Sequence, residues 1–375
     1  MTEAYIKLGE IATYINGYAF KPKDRGREGL PIIRIQDLTG NSNDKGFYKG
    51  KYPSKIEINN GDILISWSAS LGVYIWNSGR ALLNQHIFKV VFDKKAIDRD
   101  YFVYAVQFSL NKMKQLTHGA TMKHVVKKDF ENVSIPYPSL TEQRKIACIL
   151  DKLKKSISKR LQELKKLDEL IKARFVEMFG DPVLNSQHYN LVKLSNLGAL
   201  ARGKSKHRPR NDPQLLGCPY PLIQTGEITN SDTFIKKFTN TYSELGLQQS
   251  KLWPKGTLCI TIAANIAQTA ILTFDACFPD SVVGFIPENS DITPLYLHYW
   301  FSFFQKIIDS QASQVAQKNI NLKVLSNLQV MLPPKNKQNE FANFVQQVDK
   351  SKVAVQKSLD ETQRLFDSLM QEYFG

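Results

Sequence analysis

The chain has 375 residues, 42% of them hydrophobic, which is enough for two cored domains and connecting helices. Lys and Arg number 50 against 35 Asp and Glu, and the formal charge of +15 favours a polyanionic partner, nucleic acid before an acidic membrane surface. Cys148, Cys218, Cys259 and Cys277 lack C-x-x-C spacing, no His pair is placed to complete a zinc site, and no run is apolar enough to span a membrane, so neither a metal nor a membrane segment is expected. With no apolar signal core after Met1, the expected location is the cytoplasm.

Residues 1–135 read as a globular unit of short strands and turns, with apolar runs such as Leu30–Ile35, Asp62–Ser66 and Ile87–Phe92 separated by Gly, Asn, Asp and Pro. Lys21, Lys23, Arg25 and Arg27 form a sparse basic cluster early in it, and a helix is predicted near 101–116. Trp67, Asn84, Gln85 and His86 are candidates for the same nucleic-acid face, although each suits a core or turn position equally well. Gly119–His124, including Lys123 and His124, combines small and basic groups suited to phosphate or base edges.

A long helix is predicted over 141–179. Ser139 and Glu142 stand at capping-box spacing behind Pro136 and Pro138. Leu150, Ile157, Leu164, Ile171 and Met178 recur every seven residues, with Leu153, Arg160, Leu167 and Arg174 at the other seam position. At 1.5 Å per residue such a helix is about 58 Å long.

Residues 181–332 repeat the first pattern, with runs at Tyr220–Gln224, Thr257–Ile262 and Val282–Ile286 and a helix predicted near 293–310. Arg202, Lys204, Lys206, His207, Arg208 and Arg210 make a dense basic loop, suited to phosphates and guanine edges rather than to solvent alone. Lys318 and Asn319 lie near the end of this unit, as Lys123 and His124 do in the first. A second long helix is predicted over about 337–374.

The two halves are copies. Pro138 and Pro333, Gln143 and Gln338, and Phe179-Gly180 and Phe374-Gly375 share one offset of 195 residues. The same offset carries the first seam onto Val345, Lys352, Leu359, Phe366 and Tyr373, and the second onto Val348, Val355, Thr362 and Leu369. Gly17 answers to Gly203, Pro31 to Pro221 and Gly61 to Gly256. Two units related by a pseudo-twofold suit a target that also has two halves, duplex DNA above all. The helices most simply bury their stripes against each other; the alternative is that each packs on its own globular unit.

Gly198–Ser205 fits the phosphate-cradling pattern G-x-x-x-x-G-K-S, which would make the chain a nucleotide-binding enzyme. That motif needs a helix straight after it. Here Lys206–Pro213 follows, with two prolines and dense positive charge, so a basic loop is the better reading. The sequence contains no methyltransferase Asn/Asp-Pro-Pro-Tyr/Phe loop, no H-E-x-x-H and no persuasive hydrolytic set, so a non-catalytic role is expected; a coiled-coil scaffold with no DNA role is the third reading.

Ile135–Ile146 and Phe175–Pro182, in this two-copy setting, resemble the specificity subunits of type I restriction–modification systems over the whole chain. Lys337, where the first copy has Glu142, departs from the pattern at the second helix cap. The resemblance implies an α+β fold: mixed α/β target recognition domains at 1–140 and 181–335, joined by long antiparallel coiled-coil helices at 141–180 and 336–375. It implies that each domain reads one half of a bipartite DNA site while the helices set the spacing. It further implies docking of two modification subunits that use S-adenosylmethionine to methylate adenine, and of restriction subunits that use ATP and Mg²⁺, with no cofactor in this chain.

Overall fold

The computed structural model describes residues 4–41, 44–68, 70–116, 126–207, 209, 212–263, 266–288, 291–304, 307 and 320–375. The chain divides into two compact units, Met1–Leu161 with Lys357–Gly375, and Gln162–Gln356. Each therefore contains one sheet-rich lobe and a segment of each long helix.

In the first unit, β1 (Tyr5–Lys7) pairs antiparallel with β10 (Ser134–Pro136). One four-stranded sheet has the order β2 (Thr13–Asn16), β9 (Ile87–Val91), β6 (Ile63–Ser66), β7 (Gly72–Ile75), antiparallel throughout. The other runs β4 (Phe47–Tyr48), β3 (Leu30–Ile33), β8 (Ala81–Leu83), β5 (Glu57–Ile58), with β3 and β8 parallel. All four residues of β6 are buried, as expected for a β-branched and apolar run covered on both faces. Tyr14, Ile63, Ile65 and Phe88 share a core with Phe102, Val106 and Leu110 of the helix Arg99–Leu116.

The second unit repeats this order. β11 (Asn190–Lys193) pairs with β21 (Gln329–Leu332). One sheet runs β12 (Gly198–Arg202), β20 (Val282–Pro287), β17 (Leu258–Thr261), β18 (Thr269–Leu272), with β14 (Phe234–Ile235) added in parallel. The other runs β15 (Asn240–Tyr242), β13 (Leu216–Leu222), β19 (Ala276–Cys277), β16 (Leu252–Trp253), again with its central pair parallel. The helix Pro294–Phe301 corresponds to Arg99–Leu116; Phe304 and Ile307 are helical again, and residues 305, 306 and 308–310 of the predicted stretch lie outside the described residues.

The 195-residue offset extends to individual hydrogen bonds. Gln143 is fully buried; its Oε1 accepts from Asp98 N at 2.8 Å and its Nε2 donates to Pro138 O at 2.9 Å. Gln338, equally buried, accepts from Thr293 N at 2.9 Å and donates to Pro333 O at 3.0 Å. Tyr101 Oη donates to Pro136 O at 2.9 Å, and Tyr296 Oη to Met331 O at 3.0 Å. These bonds satisfy backbone groups where one element gives way to the next, through glutamine side chains that are themselves buried.

The central helix is Leu140–Phe179 and the C-terminal helix Lys335–Phe374. Ser139 Oγ accepts from Glu142 N at 3.3 Å, which makes Ser139 the cap read from sequence. At the second start, Lys337 N donates to Asn336 Oδ1 at 2.9 Å and to Pro334 O, so that end is closed without a glutamate. The central helix stops at Gly180, whose φ of +78° is the left-handed conformation glycine supplies after a helix.

Within each unit the two helix segments pack antiparallel. In the first, Ile146, Ala147 and Leu150 share a core with Phe366, Leu369, Met370 and Phe374. In the second, Ile171, Phe175 and Phe179 meet Phe341, Val345 and Val348, while Asp168 pairs with Lys352 and Arg174 with Glu340. The stripes also rest on the lobes: Phe374 lies 5.2 Å from Tyr101 and Phe179 lies 5.0 Å from Tyr296, ring centre to ring centre. The two ways of burying the stripes expected from sequence are thus both used.

Candidate nucleic-acid interface

In the first lobe, three segments converge beside the ends of β2, β6 and β8. Tyr18 N donates to Leu83 O at 2.8 Å and Gln85 N to Tyr18 O at 2.9 Å, while Trp67 N donates to His86 O at 3.2 Å. The approach requires Gly17, because a Cβ there would overlap the Asn84 carbonyl. His86 has a φ of +73°, so its ring turns onto Trp67, centroids 4.9 Å apart, and Trp67 stacks on Phe88. Trp67, Asn84, Gln85 and His86 are therefore brought together as expected. Gln85 is exposed, the other three are half-buried, and Asn84 Oδ1 is buried without a hydrogen-bond partner.

Lys21, Lys23, Arg25 and Arg27 follow a few residues after Tyr18, all exposed, around a short 3₁₀ turn in which Asp24 Oδ2 accepts from Lys21 N at 2.7 Å. Tyr18, itself 44% exposed, meets Phe20 edge-on, and Phe20 meets Tyr48 in the same way. Sequence reasoning missed Tyr18. An aromatic directly before a basic cluster, behind a glycine that answers to Gly203, was the available signal.

The dense basic loop leaves the second lobe at the equivalent point. Gly203 closes against the Phe278 and Pro279 carbonyls, as Gly17 does against Asn84. Arg202 Nε donates to Asp280 O at 3.0 Å. Lys204 and Lys206 are exposed. His207 is committed to Asp212, Nε2 to Oδ2 at 2.9 Å, and Asp212 is held below the usual carboxylate range by the Gln214 backbone amide and by His207. Lys123, His124, Arg208, Arg210, Lys318 and Asn319 lie outside the described residues.

The phosphate-loop reading of Gly198–Ser205 is overturned here. Gly198–Arg202 is strand β12, paired residue for residue with β20, and Gly203–His207 continues without helix. Gly198 and Gly203 are packed against backbone carbonyls of their own lobe, leaving no nest of amides for a phosphate.

A family described as type I restriction modification DNA specificity domain matches residues 3–167 and again 188–362. The chain belongs to this family. Both basic clusters fall inside the matched copies, each just after the first strand of its main sheet. Among similar proteins, the EcoBI specificity subunit of a type I restriction enzyme from Escherichia coli is 25% identical, over 98% of this chain and 85% of its own. The MjaVIII specificity subunit from Methanocaldococcus jannaschii is 24% identical, over 92% and 85%. The crystal structure of a type I restriction–modification S subunit from M. genitalium superposes with a TM-score of 0.55 at 14% identity, over 100% of this chain and 97% of that one. A twice-repeated specificity domain agrees with the duplicated strand order, and no described helix is long and apolar enough to cross a membrane.

Proposed function

We propose that this chain is the DNA-recognition subunit of a type I restriction–modification complex and turns over no substrate itself. Residues 1–140 and 181–335 are the target recognition domains, each reading one half of a bipartite site. Helices 141–180 and 336–375 set the spacing and dock two modification subunits. S-adenosylmethionine, ATP and Mg²⁺ belong to the modification and restriction partners, and the complex works in the cytoplasm on double-stranded DNA.

The observation that carries this reading is the position of the basic clusters. One fold occurs twice, and in both copies a cationic segment lies beside the glycine that follows the first strand of the main sheet. Lys and Arg there supply salt-dependent affinity, and the neighbouring aromatic, amide and imidazole groups supply base-edge contacts. Contact residues proposed on this basis are Lys21, Lys23, Arg25, Arg27, Trp67, Asn84, Gln85, His86, Lys123 and His124 in the first half. In the second half they are Arg202, Lys204, Lys206, His207, Arg208, Arg210, Lys318 and Asn319.

Charge reversal of Arg202, Lys204 and Lys206 in the assembled complex tests it. DNA affinity should fall, and the slope of log affinity against log salt should shrink by about 0.9 for each phosphate that is no longer neutralised. Unchanged binding would favour a scaffold with no DNA role.

A further inference from the structure

Within the first seam, the duplication exchanges an apolar residue for a charged one at a single position. Where the first copy has Ile157, the second has Lys352, with a side chain only 12% exposed. An isoleucine would fill this seam at no electrostatic cost, whereas a lysine must recover the hydration it loses. It does so with two carboxylates from two other elements. Lys352 Nζ lies 2.7 Å from Asp168 Oδ1 on the central helix and 2.9 Å from Asp232 Oδ2 on the lobe, just before β14. Burial alone would lower the ammonium pKa, and the two hydrogen-bonded aspartates reverse that and raise it.

The same place holds a cleft of about 1010 Å³ between lobe and helix. Asp232, Phe234, Lys236 and Phe238 line its lobe side, and Asp349, Lys352 and Val353 its helix side. Lobe and helices share a core around Phe175, Tyr296 and Phe341, but at the open cleft that packing stops and leaves room for the lobe to tilt. An ion pair with two short bonds restrains that tilt, because it is satisfied in only a narrow range of orientations. A charged residue at a helix seam characteristically costs stability and specifies register.

We propose that Lys352 is a positioning residue: it clasps the second recognition lobe to both helices and so fixes the phase at which that lobe meets its half-site. This rests on the DNA-recognition reading above. The clasp has no counterpart at Ile157, so its loss should affect the second half-site and the spacing while sparing the first half-site.

The test uses the complex with its modification subunits, and duplexes carrying the motif found methylated in genomic DNA. Wild type should prefer the native spacing over spacings longer or shorter by one base pair. Lys352→Met should narrow that preference by roughly tenfold, the size of coupling seen between directly bonded groups, with thermal unfolding unchanged or raised. Lys352→Arg should restore most of it. Asp232→Asn, altering a side chain that is 78% exposed, cuts the same link without disturbing the seam and should reproduce the effect if Lys352→Met fails to fold. Undiminished spacing preference in both Lys352→Met and Asp232→Asn overturns the clasp. A wild-type complex with no bipartite motif overturns the functional reading instead.

Discussion

At the scale of single residues, the buried glutamines are held by bonds on both ends of the amide. Gln143 and Gln338 stand where a strand ends and a helix begins, and each bonds backbone groups from more than one segment. Gln338 has the larger set, since its Nε2 also donates to Asp291 O at 2.7 Å and its Oε1 also accepts from Thr293 Oγ1 at 3.2 Å. Truncation leaves those partners buried and unpaired, at about 1–3 kcal/mol for each group. Gln338→Ala is expected to destabilise its unit more than Gln143→Ala destabilises the other, as resolved by urea titration. His298 makes a second residue-scale case. Its Nδ1 lies 2.9 Å from Thr269 Oγ1, and although a sliver of the ring stays accessible, burial pushes its pKa down to about 4. The unfolded chain, with an ordinary histidine near 6.5, binds the proton first as the medium is acidified. The stability this residue contributes is therefore complete above pH 6.5 and is lost as pH falls towards 4, by at most about 3 kcal/mol. His298→Gln should flatten the fall in urea midpoint between pH 7 and pH 4.5; a slope identical to wild type would show that the imidazole is not what titrates.

At the scale of elements, legibility followed length. The two long helices could be read almost to their terminal residues, because a seven-residue period sustained over 40 positions has no competing interpretation. Even the polar seam residues behave as the pattern requires: Arg174 is half-buried, its guanidinium reaching Glu340 at 3.2 Å and lying over Phe344, with its stem along the seam. The sheets were legible only as a class. β4, β5 and β16 have two residues each, too few to show any alternation, and the parallel pairs β3–β8 and β13–β19 join strands far apart in sequence. Gly198–Ser205 shows how a pattern misleads: its glycines serve close backbone packing at the edge of a sheet, and with the strand paired and no helix directly following they leave no nest of amides for a phosphate. In the candidate interface, types were legible and commitments were not. The sequence places His207 in the basic loop but does not show its bond to Asp212, and Tyr18 escapes notice because one exposed aromatic carries no periodicity.

At the scale of the whole molecule, the duplication separates reading from spacing. Each lobe carries its own basic segment, and neither long helix belongs to one lobe alone: Ile146 and Leu150 of the central helix pack in the first unit, Ile171 and Phe175 in the second. Both helices are therefore shared between the units, and lobe surfaces can vary without altering the helix seams. Adding one heptad to each helix keeps both seams in register, since 3.5 residues per turn returns every apolar position to its face after seven. The prediction is that such a variant still requires both half-sites and accepts a changed number of base pairs between them, read from the methylated motif in cells that also carry the modification partner. Replacing residues 181–335 with the equivalent segment of another specificity subunit should change one half-site and leave both the other half-site and the gap intact. Inserting four residues in one helix alone displaces its apolar stripe by about 40° from the seam, at 100° per residue, and should abolish recognition instead of shifting it. An unchanged gap in the double-heptad variant would mean that something other than helix length sets the distance between half-sites.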